Sequence, residues 1–276
     1  MPLVTLDEIL RDTRSQKRAV SAFNVANYES TRAVVEGAES MRSPVIIQVY
    51  NRLFEDTTGE DIAAMARVMA ERSPVDIALH LDHAKKREHI ECAIRAGYTS
   101  VMIDASDLPI DDNIRITKDI VGIAHAAGVS VEAELGHVPF GNTKANASLY
   151  TDPRDALRFV KETGIDALAV AIGTAHGKYA ETPKLDLDRL QEIADAVSIP
   201  LVLHGGSGTP DDAVCKAISL GIGKINIATD FQEVFRTALP RALAENPTKP
   251  IDLFMKPVVA AMAEFVKAKI VTYSKK

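Results

Sequence analysis

The chain has 276 residues, 46% of them hydrophobic and 25% charged, with a net charge of −6. That length suits one α/β barrel of ~250 residues better than two domains, and the apolar share is enough for a sizeable core. The acidic balance, with Lys85-Lys86-Arg87 as the only basic triplet, argues against a nucleic-acid partner. Cys92 and Cys215 are too few and too far apart for a disulfide framework and fit a cytoplasmic setting. Met1 to Arg11 lacks a basic-then-apolar leader pattern, and no apolar run reaches ~18 residues, so no membrane partner is expected.

In chain order, short apolar runs alternate with stretches of helical period. Val20–Val25 precedes Glu29–Met41, Val45–Tyr50 precedes Gly59–Glu71, and Ile77–Asp82 precedes Arg87–Ala96. Ser100–Asp104 is followed by Asp112–Ala126, and Ser130–Leu135 by Pro153–Glu162. Ala167–Gly173, Pro200–His204 and Ile222–Ile227 complete the strands, with Leu187–Val197 and Asp211–Ser219 between them. The longer segments place apolar residues three and four apart, as amphipathic helices do. Eight buried strands, each followed by a helix, predict a single (β/α)₈ TIM barrel over residues 1–276. A doubly wound open sheet is the alternative, but its Gly-rich turn after the first strand is missing: Ala26-Asn27-Tyr28-Glu29 stands there. Gly128, Gly164 and Gly221 fall where helix C-caps are needed. Asn246-Pro247-Thr248-Lys249-Pro250 breaks the pattern before an extra C-terminal helix, predicted over Phe254–Lys269.

Barrel chemistry sits where strands run into their loops. His83, His176 and His204 fall just past strands three, six and seven. Three imidazoles around an open position are what a catalytic zinc needs. His80 points with Asp82, His89 and His125 read as surface residues on helices, and His137 lacks a strand-end placement. Asp82, Asp104, Glu132 and Glu134 lie on strands among apolar neighbours, and buried carboxylates must be paired, metal-bound or hydrogen-bonded. A structural salt-bridge network in the barrel mouth is the alternative to a metal or acid/base site. Gly205-Gly206-Ser207-Gly208 and Asn226 to Thr229 each lead into a helix, as phosphate-gripping loops after strands seven and eight do.

The motifs that carry a resemblance are Ala22-Phe23-Asn24, Leu79-His80-Leu81-Asp82-His83, Ser100 to Asp104, Ser130 to Gly136, Ala169 to Gly177, Pro200 to Gly205 and Lys224 to Thr229. Across nearly the whole chain the sequence resembles the class II, zinc-dependent fructose/tagatose-bisphosphate aldolases. The resemblance implies that His83, His176 and His204 bind a catalytic zinc ion, with Glu134 and Asp104 serving an alternative metal position. It implies Asp82 as the acid/base for the C4 hydroxyl proton, and Asn24 near the enediolate. Gly177, Gly205, Gly206, Ser207, Asn226, Ala228 and Thr229 would hold the phosphate of dihydroxyacetone phosphate. A monovalent cation and a homo-oligomer, dimer or tetramer, belong to the same expectation, as does a sugar-phosphate substrate.

Three places depart from the family pattern. Relatives carry a Gly-Gly-Glu-Asp type segment after strand five, whose acid moves the C3 proton; here Gly136 to Lys144 contains no acid. Tyr50 stands where many relatives have serine, and the chain stops at Tyr273-Ser274-Lys275-Lys276 without their basic tail segment. Ala228, where many fructose-bisphosphate enzymes have Asp, follows the tagatose type. Arg52 and Lys144 are the cations left to meet the far end of the substrate, with Arg52 the first candidate for a carboxylate, sulfonate or phosphate. A sugar-phosphate-binding barrel without turnover is the reading from another class.

Overall fold

The computed structural model describes residues 3–139, 149–245 and 247–274. Eight parallel strands, β1 (Val20–Asn24), β2 (Val45–Tyr50), β3 (Ile77–Ala84), β4 (Ser100–Ile103), β5 (Ser130–Leu135), β6 (Ala167–Val170), β7 (Leu201–Leu203) and β8 (Ile222–Ile227), close a barrel in sequence order, with β8 pairing back on β1. The expected bounds hold for β2, β5 and β8. Strand β6 stops earlier than Gly173 because loop residues take over its backbone: Thr151 donates to the Ala171 carbonyl and Asp186 to that of Ile172. Strand β3 runs two residues further than expected, with an irregular register between Leu81 and Ala84. His83 sits in that irregularity at φ 52°, a left-handed backbone uncommon for a residue with a side chain.

Helices α1 (Leu6–Leu10) and α2 (Thr13–Gln16) precede the barrel and are too short to register as a helical period. The outer ring comprises α3 (Tyr28–Met41), α4 (Thr58–Arg72), α5 (Arg87–Ala96), α6 (Ile110–Ala126), α7 (Pro153–Thr163), α8 (Leu187–Ala196), α9 (Asp211–Ser219) and α10 (Thr229–Glu245). After α11 (Ile251–Phe254), α12 (Lys256–Tyr273) is the expected extra helix, starting later and ending later than its sequence bounds. Gly164 ends α7 in the left-handed conformation, as expected of a cap. His89 is a correction: α5 turns it inward, 7% exposed, against Phe54 of the 3₁₀ turn Asn51–Phe54, with ring centroids 6.2 Å apart. His125 is exposed as expected. Among the described residues, no helix is long and apolar enough to cross a membrane.

Strand alternation sorts the barrel interior into two zones. The lower one is apolar and mostly small: Val20, Ala22, Ile46, Ala78, Ala167, Ala169 and Val202. The alanines leave room that Leu6, Ile9 and Leu10 of α1 fill from below. Val4 fastens this segment by donating to the Ile77 carbonyl at 2.9 Å, and the Asp7 amide donates to Ser130 Oγ at 3.2 Å. Two residues further along the same faces, the interior turns polar: Asn24, Gln48, His80, Glu132, Glu134, His204, Lys224 and Asn226 are all buried.

Helix α12 lies against α3 and β1. The Ala19 amide donates to the Tyr273 carbonyl at 3.0 Å, and Phe23 packs on Phe231 and Phe265 at centroid distances of 5.3 and 6.5 Å. Gly37 of α3 permits the approach, since a Cβ there would stand 2.6 Å from Val266 Cγ1 and 3.0 Å from the Ala263 carbonyl oxygen. Gly37→Ala should therefore destabilise the fold, because overpacking of about 1–3 kcal/mol exceeds the roughly 0.8–1 kcal/mol alanine gains in helix propensity. Thermal unfolding should give a lower Tm for Gly37→Ala and partial recovery in the double variant with Val266→Ala. A single variant as stable as the parent would remove this contact from the packing account.

Candidate active site

At the C-terminal ends of the strands, a cavity of about 430 Å³ opens over the polar zone. Strands β3 and β7 and the loop after β6 bring three imidazoles together. His83 lies 4.8 Å from His176 and 4.6 Å from His204, centroid to centroid, and His176 lies 5.7 Å from His204. Each of these, and Glu134 from β5, offers one ligand atom within 4.8 Å of the others. The three histidines and Glu134 are thus assembled as the sequence led us to expect.

Carboxylates fix which nitrogen of His83 and of His204 faces the cluster. His83 Nδ1 is 2.8 Å from Asp104 Oδ2, which leaves Nε2 for the centre. Asp104 therefore supports His83 from behind and stands outside the ligand cluster, a different place from the alternative-ligand role implied by resemblance. His204 Nε2 lies 2.9 Å from Glu132 Oε1, which leaves Nδ1 pointing inward. Such carboxylate partners orient metal-binding histidines and raise their basicity. Burial lowers the His176 pKa to about 4, helped by the neighbouring His83 and His204, so this ring is neutral and able to give a lone pair.

The donor set passes a chemical test for a divalent metal. His83 Nε2, His204 Nδ1 and Glu134 Oε2 are buried without a hydrogen-bond partner. His204 Nδ1 and Glu134 Oε2 lie only 2.9 Å apart, yet without hydrogen-bond geometry. A lone pair facing a carboxylate at this distance requires a cation between them, either a proton or a metal ion. Burial opposes a charged His204, but Glu132 and Glu134 outweigh it and push its pKa up to about 10.

Behind the cluster, Lys224 is fully buried, with Nζ 2.8 Å from Glu132 Oε2 and 2.8 Å from Asn226 Oδ1. His80 completes the layer, with Nδ1 2.8 Å from Ser100 Oγ. Its pKa falls to about 3 through burial and the Lys224 charge, so it is neutral. Asp82 is gripped on both oxygens. Asn24 Nδ2 donates to Oδ2 at 2.8 Å, Asn226 Nδ2 to Oδ1 at 3.5 Å, and Gln48 Nε2 steadies Asn24 at 3.0 Å. Burial works against its charge, but His83, His204 and Lys224 prevail and hold the carboxyl below its usual range.

Gly177, Gly205, Ser207, Asn226, Ala228 and Thr229 line one side of the cavity. Gly205, at φ 69°, turns the chain there, and Tyr179 pins it by donating to its carbonyl at 2.9 Å. Ser207 Oγ accepts the Ala228 and Asp230 amides at 3.2 Å each, so its hydroxyl hydrogen remains available to an anion. Gly206 is a correction: its amide donates to the Asn226 carbonyl at 3.0 Å, and it serves close packing on β8 instead of the cavity. Tyr50, Asn51, Arg52, Lys85 and His137 line the other side. Arg52 Cζ stacks 4.1 Å from the Tyr50 ring centroid, while Lys85 is tied to Asp107 at 2.9 Å. His137 reaches the cavity without a strand-end position, Tyr179 and Gln48 support its walls without any sequence signal, and Lys144 lies outside the described residues.

A closed parallel barrel with histidines and carboxylates at its mouth is the setting of an active site able to hold a metal ion. The family model for fructose-bisphosphate aldolase class-II matches residues 4–276, and the chain belongs to that family. Its fold is similar to the crystal structure of the YdjI aldolase from Escherichia coli K12, at 38% identity and a TM-score of 0.88 over 98% of this chain and 97% of that one. A putative fructose-1,6-bisphosphate aldolase from Coccidioides immitis is similar at 29% identity and a TM-score of 0.85, over 96% and 94% of the two chains. The fold also matches fructose-bisphosphate aldolase from Campylobacter jejuni, at 24% identity and 0.85, over 99% and 95%.

The proton that His204 holds in the metal-free protein must leave when a metal takes Nδ1. Because the folded pKa is raised, this pairing stabilises the metal-free protein fully below about pH 6.5 and is lost as pH rises through about 10. Calorimetric titration with zinc near pH 8 in buffers of different ionisation enthalpy should read release of about one proton from this site, vanishing above pH 10. Zinc uptake without proton release at pH 8 would refute the assignment.

Proposed function

We propose that this aldolase reversibly cleaves ketose 1-phosphates between C3 and C4, giving dihydroxyacetone phosphate and an aldehyde, with zinc held by His83, His176 and His204. The observation that carries the reading is the set of buried, unpartnered donor atoms facing one point beside the doubly gripped Asp82. A zinc ion bound there supplies Lewis-acid stabilisation of the negative charge that develops on the substrate oxygens. In cleavage, ionised Asp82 takes the C4 hydroxyl proton, the C4 carbonyl forms, and the C3–C4 electron pair passes into the enediolate of the phosphate half. Condensation runs the same transfers backwards, with Asp82 returning the proton to the C4 alkoxide. Asn24 and Asn226 keep the Asp82 oxygens aimed, and Ser207 with the start of α10 receives the phosphate. No Schiff-base lysine is needed, and Lys224 is committed to Glu132 and Asn226. The unpaired Cys92 and Cys215 support a cytoplasmic setting, and a homo-oligomer with an accessory monovalent cation belongs to the same reading.

A coupled assay for dihydroxyacetone phosphate release over several ketose phosphates tests this. Chelation should abolish release and zinc should restore it. Asp82→Ala should keep zinc yet lose about 10²- to 10⁴-fold in turnover, the usual worth of a placed acid/base. Full activity in rigorously metal-free protein, or unchanged turnover in Asp82→Ala, would end the proposal.

The aldehyde end favours a substrate with an acidic tail. Arg52 forms no ion pair among the described residues and lies over the Tyr50 ring, which steadies its fork for a carboxylate, sulfonate or phosphate. Fructose 1,6-bisphosphate is expected to be a modest substrate and another acid-tailed ketose 1-phosphate a better one. Arg52→Ala should cut kcat/KM for the preferred substrate about 10- to 100-fold, matching the ~1.5–3 kcal/mol of hydrogen bonds to charged groups. If fructose 1,6-bisphosphate leads the panel and Arg52→Ala leaves it untouched, the simpler bisphosphate assignment stands.

A further inference from the structure

The C3 proton needs its own acceptor, because Asp82 is occupied with the C4 hydroxyl. From Gly136 to Thr151 the sequence holds no Asp or Glu, and its ionisable side chains are His137, Lys144 and Tyr150. Of these residue types, imidazole is the one that ordinarily both takes and returns a proton near neutral pH. His137 lines the cavity that also contains Asp82 and His83. It is placed firmly: Gly136 turns the chain at φ 77°, the His137 amide donates to the Leu149 carbonyl at 2.9 Å, and the Val138 amide donates to Glu134 Oε1 at 3.1 Å.

A polar relay selects its tautomer. Ser106 Oγ donates to Asp104 Oδ1 at 2.8 Å, so its lone pair is left to accept Nδ1–H of His137, 3.3 Å away. The Nε2 lone pair of His137 is then the basic one. Lys85, the nearby cation on the same wall, is tied to Asp107.

We propose that His137 is the group that removes and returns the C3 proton, in place of the loop acid this chain lacks; the proposal rests on the aldolase reading above. In the condensation direction, one C3–H proton of bound dihydroxyacetone phosphate moves to His137 Nε2. The C–H electron pair becomes the C2–C3 double bond, and the carbonyl π pair moves to O2. The resulting imidazolium keeps Nδ1–H on Ser106 and is stabilised through it by the Asp104 carboxylate. In cleavage no C3–H bond is broken: the C3–C4 electron pair passes into the enediolate, C3 then takes a proton from the His137 imidazolium as the C2 carbonyl re-forms, and dihydroxyacetone phosphate is complete.

The test is hydrogen exchange without aldehyde. Zinc-loaded protein is mixed with dihydroxyacetone phosphate in D₂O, and loss of the hydroxymethyl proton signal is followed by NMR. The parent protein should exchange one of the two protons. His137→Gln should retain zinc and lose about 10²- to 10⁴-fold in exchange rate. His137→Glu, which restores a proton acceptor, should recover exchange to within about tenfold of the parent. Exchange at the parent rate in His137→Gln overturns the proposal. So does an absence of exchange in folded, zinc-loaded His137→Glu, the deciding variant if His137→Gln loses zinc. A parent protein that fails to exchange overturns the dihydroxyacetone phosphate reading itself, a result distinct from failure of His137 alone.

Discussion

A lysine ammonium enclosed in the barrel, the Lys224 Nζ between Glu132 and Asn226, is the interaction on which the site depends. Burial opposes the charge of Glu132, but this cation, together with the His204 hydrogen bond and the neighbouring His80 and His204 rings, outweighs it and keeps the carboxylate ionised. The ionised Glu132 then holds His204 Nε2 and turns the other nitrogen toward the cluster. The same ammonium orients Asn226, which in turn holds Asp82. One buried charge thus positions both His204 and Asp82. Asp82, Asp104, Glu132 and Glu134 together carry more negative charge than Lys224 and the protonated His204 balance, which leaves room for a further cation.

Much of this was legible in the sequence because strand geometry is strict. A period of two fixes Glu132 and Glu134 on one face, and the strand-end positions of His83, His176 and His204 bring them to one mouth. What stayed hidden depends on side-chain direction beyond that period. The irregular register around His83 cannot be read from an apolar pattern, and neither can the packing that draws His89 under Phe54. Gly206 looked like an anion-binding glycine because glycine serves both close packing and anion contact, and only the direction of its amide distinguishes them. His137 was invisible because no strand carries it; a loop residue is placed by the turn before it and by partners distant in sequence.

The two ends of the cavity follow different rules. On the side lined by Gly205, Ser207 and Thr229, Ser207 is fixed between the end of β7 and the start of α10 by the Ala228 and Asp230 amides, so that wall is rigid. On the opposite side, Arg52 rides on a short 3₁₀ turn and is steadied by a ring stack. That wall is built from long side chains on loops, where change is tolerated without disturbing the barrel.

The small residues of the lower barrel carry a consequence for how the molecule forms. Leu6, Ile9 and Leu10 occupy a space whose walls come from both early and late strands, from Val20 to Val202. That space does not exist until the ring of strands has closed, so α1, although it precedes every strand of the barrel, is among the last elements to find its place. Floor and catalytic layer share the same strands, and the order of the upper layer is gained only when the lower one fills. Such sequence-distant dependence makes folding slow and cooperative, and it leaves little room for a half-built barrel with a working site.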